Sequence, residues 1–278
     1  MVRRPSLAAP VGDTDAFRPT RHRPVRVRAR TMPADSHFEP HQHAWSQVAY
    51  CASGIVQVTA EQHAGKGDEV TFIVPSSRAV WIAPGARHAV HVLETAQFRT
   101  LYVDASATPP GWDRCRVIVV SPLLRELVRA LDTSQAGAVP RLREERLCGL
   151  VLDEIAQADT QSLGVPLPHP DTGDKRLRSL CEAVLRAPHE RSTLAEWAAD
   201  AGASERTLAR LFRDELGTGY QQWRQQAILA HALPMLARGL AVGQVAASCG
   251  YASESAFTAM FKSAMGEPPS RFQGPRAA

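Results

Sequence analysis

Apolar positions in the C-terminal third of the chain occur as two copies of one pattern. Residues 194–217 and 242–266 share the same spacing, at an offset of 48 residues before a glycine and 49 after it. The first copy is Leu194, Trp197, Ala198, Gly202, Ser204, Leu208, Phe212 and Gly217, and the second is Val242, Val245, Ala246, Gly250, Ser253, Phe257, Phe261 and Gly266. Each copy predicts a short apolar helix, a tight turn at the glycine and a serine-capped second helix, which together form a helix-turn-helix.

A longer helix is predicted between the two copies, over about residues 220–237. Roughly 18 residues at ~1.5 Å each give a length of ~27 Å, which is near the ~34 Å between major-groove faces one turn apart. The spacing favours two helices that enter successive grooves of a DNA duplex. Pro234 interrupts the pattern and is expected to kink this helix.

Between residues 35 and 105 the pattern changes to a period of two. Short segments that are β-branched, or that alternate apolar with polar residues, are separated by Gly, Pro, Asp and Ser. This predicts an antiparallel sandwich or small barrel. Two helices are expected to follow, one starting at Pro122 after the cap Ser121 and one over about residues 142–158. They either cover the sheet or pair with the same helices of a second chain.

Charge is distributed unevenly along the chain, whose formal net charge is +4. Residues 1–30 hold eight basic and two acidic residues, residues 31–173 hold 11 and 16, and residues 174–278 hold 13 and 10. An acidic centre between basic ends is typical of a sensor joined to a module that binds a polyanion. Residues 1–30, rich in Arg and Pro, are expected to form a flexible basic arm.

Composition also argues against several classes of protein. No run of 18 apolar residues predicts a transmembrane helix, and the N-terminus lacks the apolar segment of a signal peptide. The five cysteines are dispersed and include no C-x-x-C pair. This indicates reduced thiols in a cytoplasmic protein with no membrane partner.

The second helix of each copy leaves a polar face outside its apolar positions. Arg206 and Arg210 lie four residues apart and project from one side, where each guanidinium can reach guanine O6 and N7 or a phosphate. The candidate DNA-binding residues are Ser204, Glu205, Arg206, Ala209, Arg210, Arg213, Ser253, Glu254, Ser255, Thr258, Ala259 and Lys262. The competing interpretation is a helical protein-interaction module whose arginines lie on a solvated face.

Several local motifs accompany this face. They are Ser204-Glu-Arg-Thr-Leu-Ala-Arg-Leu-Phe212, Glu215-Leu-Gly217, Gly250-Tyr-Ala-Ser-Glu-Ser-Ala-Phe257, and Phe261-Lys with Gly266, Pro268-Pro269 and Arg271-Phe272. With them, residues 175–272 resemble the DNA-binding domain of AraC-type (AraC/XylS) transcriptional regulators. The resemblance implies that Arg206, Ala209 and Arg210, and in the second copy Glu254, Ser255 and Ala259, read bases. The two alanines can contact a thymine methyl but cannot donate a hydrogen bond.

A histidine-rich segment stands out in the N-terminal half. Pro40-His41-Gln42-His43 is followed by Gln47 and Gly54, and later by Pro84-Gly85-Ala86-Arg87-His88. Alternation along a strand would place His41 and His43 on the same side. The pattern resembles the two cupin motifs, in which two histidines, a Glu or Gln and a later histidine bind a divalent metal at a barrel mouth.

The cupin resemblance implies a nickel, zinc or iron site at His41, His43, Gln47 and His88, with His91 as a further candidate. Two alternatives stay open, namely an organic effector in the same mouth or purely structural histidines. Trp45 and Trp81 are candidates to line the effector cavity, and the competing interpretation places both in the barrel core.

The predicted fold is therefore a two-domain chain, with an N-terminal all-β cupin-like barrel, a helical dimerisation segment and a C-terminal all-α double helix-turn-helix. The predicted boundaries are the arm at 1–30, the effector-binding domain at 31–110, the dimerisation segment at 111–160, a Pro/Gly-rich linker at 161–173, and the DNA-binding domain at 174–278, with its motifs at about 194–215 and 242–265.

These expectations combine into a cytoplasmic transcription regulator that binds double-stranded DNA as a homodimer. A small molecule or metal ion in the barrel would act as its effector. The alternative is a cupin metalloenzyme, a dioxygenase or isomerase, with an accessory helical domain. The neutral amide of Gln47, in place of the usual carboxylate, argues against catalysis.

Overall fold

The computed structural model describes residues 7–8, 14–65, 68–132, 140–161, 163–169, 171–190 and 193–274. The chain divides into an N-terminal unit, Met1–Gly164, and a C-terminal unit, Val165–Ala278. The N-terminal unit contains strands β1 (Leu7–Ala8), β2 (Val25–Met32), β3 (Ser36–His41), β4 (Ser46–Glu61), β5 (Glu69–Val74), β6 (Arg78–Ile82), β7 (His88–Val103), β8 (Arg116–Val119) and β9 (Thr160–Gln161), and helices α1 (Pro122–Leu131) and α2 (Arg141–Ala156). Strand β10 (Gly164–Pro166) crosses the division, and the C-terminal unit contains helices α3 (Lys175–Arg186), α4 (Leu194–Ala201), α5 (Glu205–Leu216), α6 (Tyr220–Ala237), α7 (Val242–Ser248) and α8 (Glu254–Met265). Of the described helices, none is long and apolar enough to span a membrane.

Two long antiparallel strands organise the N-terminal unit. β4 and β7 pair along most of their length, from Ser46 opposite Val103 to Ala60 opposite His88. Their outer partners change midway, since β2 and β6 flank one half and β3 and β5 flank the other. Apolar residues of both halves share one buried cluster. The sheet therefore folds over itself into two layers.

The bend in the sheet lies where the register between β4 and β7 shifts, between Cys51 and Val56. Gly54 has a φ of 82° there, and a Cβ atom at this position would lie 2.4 Å from the carbonyl oxygen of Thr95. Both the backbone conformation and the close approach of β7 require glycine.

We expect Gly54→Ala to lower the free energy of unfolding by more than about 2 kcal/mol, because a steric clash adds to the cost of a positive φ. Gly111→Ala is the matched control, since Gly111 also has a positive φ (74°) but no described atom within 4 Å of its Cβ position. Denaturant titration of both variants measures the difference. Equal destabilisation would show that the approach of Thr95 does not constrain the bend.

The strand pairings correct the prediction of a closed barrel. They run in the order β1-β3-β7-β4-β6-β8-β9, with β2 and β5 as branches, and among the described strands no pairing closes a ring. The closed barrel is wrong because β4 and β7 bend, so that their flanking strands lie in opposite layers instead of continuing around one ring. The architecture is a folded, open sheet.

Helices α1 and α2 cover the outer face of the layer that contains β2, β6 and β8. At the start of α1, the Leu124 N–H donates to Ser121 Oγ over 2.9 Å, and Pro122 occupies the first helical position. Leu127 and Val151 pack with Trp81 in the cluster beneath the helices. The predicted segment 111–160 thus also contains strand β8 and the first residue of β9, and its role in dimerisation stays a prediction.

Strand β2 differs from the flexible arm that the sequence predicted. Val25–Met32 pair with β7 in an unbroken antiparallel register. Valines of β2 belong to the cluster beneath the helices and alternate with half-buried arginines. The arm prediction is wrong for residues 25–30. Their high arginine content suggested a flexible segment, although apolar residues alternate with the arginines as they do in a strand. Residues 1–6 and 9–13 of the arm lie outside the described residues.

The C-terminal unit is helical and has its own core. Leu177, Trp197, Phe212 and Trp223 meet in one buried cluster, which also contains Val165. The Trp223 indole N–H donates to the carbonyl of Pro166 over 2.7 Å. Part of the predicted linker 161–173 therefore belongs to this core. Pro234 lies in the last turn of α6 and does not end the helix early.

Candidate DNA-reading helices and effector site

The first sequence repeat folds as α4, a turn and α5. Thr193 and Glu196 form a reciprocal capping box at the start of α4. Gly202 ends that helix with a φ of 59°, in the left-handed region that glycine adopts most easily. The Thr207 N–H then donates to Ser204 Oγ over 3.1 Å and caps α5. The turn and the cap together fix the direction in which α5 leaves α4.

The second repeat builds the same arrangement from α7 and α8. The Ala256 N–H donates to Ser253 Oγ over 3.2 Å at the start of α8. Gly250 has a φ of 81°, and a Cβ there would lie 3.0 Å from the Cα of His189. The turn therefore depends on glycine for both its conformation and its packing. The extra residue of this copy lies between Gly250 and Ser253.

Most of the candidate DNA-binding residues are exposed. Ten of the twelve are exposed on α5, α8 or their caps, whereas Ala209 and Thr258 are half-buried. Ala209 packs against the core of the C-terminal unit, so less of its methyl group remains for a thymine contact. Arg206 and Arg210 stand one turn apart, and within the described part of the chain neither guanidinium forms an ion pair.

The two candidate reading helices, α5 and α8, differ in the side chains that they present. α5 exposes three arginines, which include Arg213, whereas α8 exposes Ser255 and Lys262. A Cβ atom on Gly243 would lie 3.0 Å from Oε2 of Glu254, so this carboxylate lies against α7. The first motif therefore offers more hydrogen-bond donors to DNA than the second.

Three histidines of the N-terminal unit lie together. His41 ends β3 and is the cross-strand partner of His88, which begins β7, and their ring centroids are 4.3 Å apart. His43 lies beyond the end of β3, with its ring 5.0 Å from that of His88. The expectation that His41 and His43 alternate along one strand is therefore wrong for His43. A loop brings its ring to the cluster instead.

Each of these imidazoles has its Nδ1 directed at a backbone carbonyl. The Nδ1 atoms of His41, His43 and His88 lie 2.8, 2.8 and 2.9 Å from the carbonyl oxygens of Glu39, Trp45 and Ala86, respectively. A carbonyl accepts only from N–H, so for His41 and His88 these contacts favour the tautomer whose lone pair lies on Nε2. Nε2 of His43 also faces an acceptor, Oε1 of Gln47, so its lone pair is available to a metal only when the Gln47 amide turns its oxygen away. The contact between Nδ1 and a carbonyl is the outer-shell pattern that orients metal-binding histidines.

The remaining nitrogens converge. One potential ligand atom from each histidine lies within 4.8 Å of the other two. Nε2 of His88 is buried and has no hydrogen-bond partner, and Nε2 of His43 lies 2.8 Å from Oε1 of Gln47. An orphaned nitrogen beside two further imidazoles fits a divalent metal, with the Gln47 amide as a weaker oxygen donor.

The protonation state also suits a metal. Burial lowers the pKa of His88 to about 3, and the neighbouring His41 adds to this shift. Burial likewise lowers the pKa of His41. Both imidazoles are therefore neutral near pH 7, which is the form that binds a metal ion.

The two candidate tryptophans occupy different places. Trp45 stacks on the His43 ring, with centroids 5.0 Å apart, and lies next to Tyr102. Trp81 is fully buried beneath α1 and α2, where its indole N–H donates to the carbonyl of Trp112. The structure thus places Trp45 beside the histidines and Trp81 in the core on the other face of the sheet.

Residues that the sequence interpretation missed adjoin the histidines. Arg28 and Arg30 of β2, with Thr100 and Tyr102 of β7, line a cavity that also contacts His41 and Gln47. The signal was present in Val25-Arg-Val-Arg-Ala-Arg-Thr-Met32, where arginine alternates with apolar residues. That alternation is typical of a strand with one polar face.

Comparison with known proteins identifies both units. Residues 23–151 match the AraC-like ligand binding domain, and residues 197–274 match a helix-turn-helix domain. The chain is 36% identical over 236 residues to the HTH-type transcriptional regulator NimR of Escherichia coli K12, across 84% of this chain and 81% of NimR. The chain belongs to the AraC family of transcriptional regulators. This AraC-family protein is thus a DNA-binding transcriptional regulator with a ligand-binding domain, as the motifs implied.

Other similarities cover less of the chain or are more distant. The HTH-type transcriptional regulator RipA of Corynebacterium glutamicum is 31% identical over 107 residues, which is 38% of this chain and 31% of RipA. The structure of ToxT from Vibrio cholerae aligns with 90% of this chain and 97% of its own, at 12% identity and a TM-score of 0.37. NimR and RipA are transcriptional regulators, so the comparisons with curated relatives do not support the metalloenzyme alternative.

Proposed function

We propose that this AraC-family regulator reads a specific operator through α5 and α8, and that an effector at the histidine cluster changes its affinity for that operator. The observation that carries the effector proposal is the convergence of three buried or half-buried imidazoles, each oriented by a backbone carbonyl. A coupling between effector and DNA typically amounts to about 1–3 kcal/mol.

We further propose that the effector includes a divalent ion, nickel, zinc or iron, held by His41, His43 and His88. Gln47 would contribute its amide oxygen, because Oε1 of Gln47 now lies 2.8 Å from Nε2 of His43. An ion bound by that nitrogen would replace this direct contact and could be bound by the same oxygen. When bound, such an ion supplies a positive charge and open coordination positions for a small ligand. The chain's own contribution is to fix the tautomer and ring orientation of each histidine. A small organic ligand alone at the same site is the alternative.

The test uses full-length protein and the DNA upstream of its own gene. Chelator-treated protein is titrated against this DNA by mobility shift and footprinting, and then nickel, zinc or iron is added back. We expect one protected region, with an affinity that changes about 5- to 150-fold on metal addition. The absence of protection would overturn operator recognition, and protection that no metal alters would overturn the metal effector.

An exposed face of α2 supports the proposal of a homodimer. Leu142, Arg146, Gly149, Leu150 and Asp153 are all exposed and lie along one side of the helix. If two copies of α2 pack antiparallel about the point between Gly149 and Leu150, the leucine meets the glycine of the other chain. Arg146 then lies opposite Asp153 of the partner subunit, which gives a symmetric pair of opposite charges. We propose that a second copy of this chain covers this face.

Leu150→Glu is expected to shift the protein from dimer to monomer, because it places two like-charged, desolvated carboxylates, one from each chain, at the centre of the interface. Leu123→Glu is the matched control, since Leu123 is equally exposed (51% against 49%) but lies on α1. Sedimentation equilibrium measures the change. A wild-type monomer, or equal effects of the two variants, would contradict the proposed face.

The five cysteines are free and buried, which fits the cytoplasmic location that we also propose.

A further inference from the structure

The buried cluster that contains the first motif, α4 and α5, does not extend to the second motif, α7 and α8. Its described members lie between Val165 and Ala230 and include residues of α3, α4, α5 and the first part of α6. The buried Phe257 and Phe261 of α8 are therefore not part of the core that holds the first motif. Other contacts must hold α8 at its angle to α5.

One short turn of the chain, residues 187–190, makes such a contact. It follows α3 and precedes α4, and the N–H of Glu190 donates to the carbonyl of Ala187 over 3.2 Å. The turn lies against the second motif, because a Cβ atom on Gly250 would be 3.0 Å from the Cα of His189. Gly202 is the equivalent glycine of the first motif, and no described atom lies within 4 Å of its Cβ position. The two motifs thus differ in what packs on this glycine.

Arg224 of α6 holds the same turn. Its Nη2 donates to the carbonyl of the buried Pro188 over 3.0 Å. Burial raises the pKa of Tyr251, and the positive charge of Arg224 opposes this rise, so the guanidinium also lies near the second motif. Tyr251 in turn packs edge-on against Phe257 of α8, with ring centroids 5.5 Å apart. A continuous set of contacts therefore joins the 187–190 turn to a candidate reading helix.

A second residue of α6 faces the turn from the same side of the helix. His231 lies seven residues after Arg224, a separation of two helical turns that places both side chains on one face. Burial lowers the pKa of His231, and the nearby His189 lowers it further. The 187–190 turn therefore lies along one face of α6 and against the second motif. Its two ends continue towards α3 and α4, which belong to the core of the first motif.

We propose that the 187–190 turn, held by Arg224, fixes the orientation of α8 relative to α5 and thereby sets the spacing of the two base sequences in the operator. The inference rests on the proposed reading role of both helices. Arg224 is a positioning residue, because it acts through Pro188 and the second motif. One added base pair rotates a groove by ~35° and moves it by ~3.4 Å, which a fixed pair of helices cannot follow.

The test compares the affinity of full-length protein for its operator with that for versions in which one base pair is inserted or deleted between the two sequences. We expect wild-type protein to bind the altered operators at least about tenfold more weakly, a loss similar to that from a mismatched base pair. Arg224→Met removes the hydrogen bond and keeps the apolar stem. We expect it to reduce this discrimination at least about threefold, because a loosened pair of motifs adapts to either spacing at lower cost.

Arg178→Met is the matched control. Arg178 is also half-buried, and its Nη1 donates to the carbonyl of Pro168 over 2.7 Å, but it lies on α3 and its contacts are with Pro168 and Glu182. The variant removes the same charge and the same kind of hydrogen bond, so discrimination should stay at the wild-type value. Gly250→Ala against Gly202→Ala gives a second comparison. Both alanines strain a positive φ, but only the first presses on His189.

A measurement without DNA uses the otherwise wild-type protein, so it holds even if Arg224→Met misfolds. Spin labels are attached at Asp214→Cys on α5 and Ser263→Cys on α8, two exposed positions outside the candidate reading sets, while the native cysteines are buried. Excess unlabelled protein keeps distances between chains from dominating. We expect pulsed electron paramagnetic resonance to give one narrow distance distribution.

The outcomes separate this inference from the proposed function. Unchanged discrimination in Arg224→Met, an equal change in Arg178→Met, or a broad distance distribution would overturn the inference. A protected operator whose affinity does not depend on spacing would reject the inference alone and leave operator recognition standing. A protein that protects no operator would overturn the reading role, and this inference with it.

Discussion

Replacing Arg206 and Arg210 together with alanine is expected to lower operator affinity by about 2–6 kcal/mol, with about 1–3 kcal/mol for each single variant. Both side chains are exposed one turn apart on α5, where a bidentate contact to guanine or a contact to phosphate is lost on truncation. Titration of labelled operator at fixed salt concentration measures the change.

Arg186→Ala is the matched control for charge, because Arg186 is exposed in the same unit but lies on α3. The same titrations also distinguish a contact to a guanine base from a contact to a phosphate. A lost guanine contact relaxes discrimination against altered operators, whereas a lost phosphate contact weakens binding to every sequence and reduces the salt dependence. Unchanged operator affinity in the double variant would reject α5 as a reading helix.

His88→Ala is expected to reduce bound metal from about one ion per chain to almost none, because a three-histidine site rarely retains its ion with two imidazoles. His88 is the most buried of the three ligand candidates, and its Nε2 has no other partner. Elemental analysis after dialysis against metal and then against buffer measures the loss. Binding to the operator in the metal-free state should persist.

His91→Ala is the control for this variant, since His91 lies three residues further along β7 and outside the cluster. His41→Ala provides a second test in a less buried position, in case His88→Ala unfolds the sheet. Full retention of metal by both cluster variants, or equal loss in His91→Ala, would contradict the site.

The helical half of the fold was predictable because its signals are local. Gly202 and Gly250 mark turns that need a positive φ, and Ser204 and Ser253 cap the helices that follow, so a few adjacent residues determine each motif. The comparisons confirm the family that these motifs implied. The reading roles of individual residues on α5 and α8 stay predictions.

The sheet was harder to predict because its arrangement depends on distant pairings. Whether β4 and β7 close a barrel or fold into layers depends on the bend at Gly54, which the sequence shows only as one glycine in a strand. Likewise, Trp81 and Gln47 lie on neighbouring strands but on opposite faces, and only the register distinguishes them. His43 reached the cluster from a loop, which no periodicity could indicate.

The layer that contains β2, β6 and β8 connects the cavity on one of its faces directly to helices α1 and α2 on the other. Arg28, Gln47 and Tyr102 line the cavity, and their immediate chain neighbours Val27, Val48 and Leu101 belong to the cluster beneath α1 and α2. Within one strand, a shift of a residue by a few tenths of an ångström moves its neighbour as well. A ligand that enters the cavity on one face would thus change how α1 and α2 pack on the other face. No hinge motion is needed for this change.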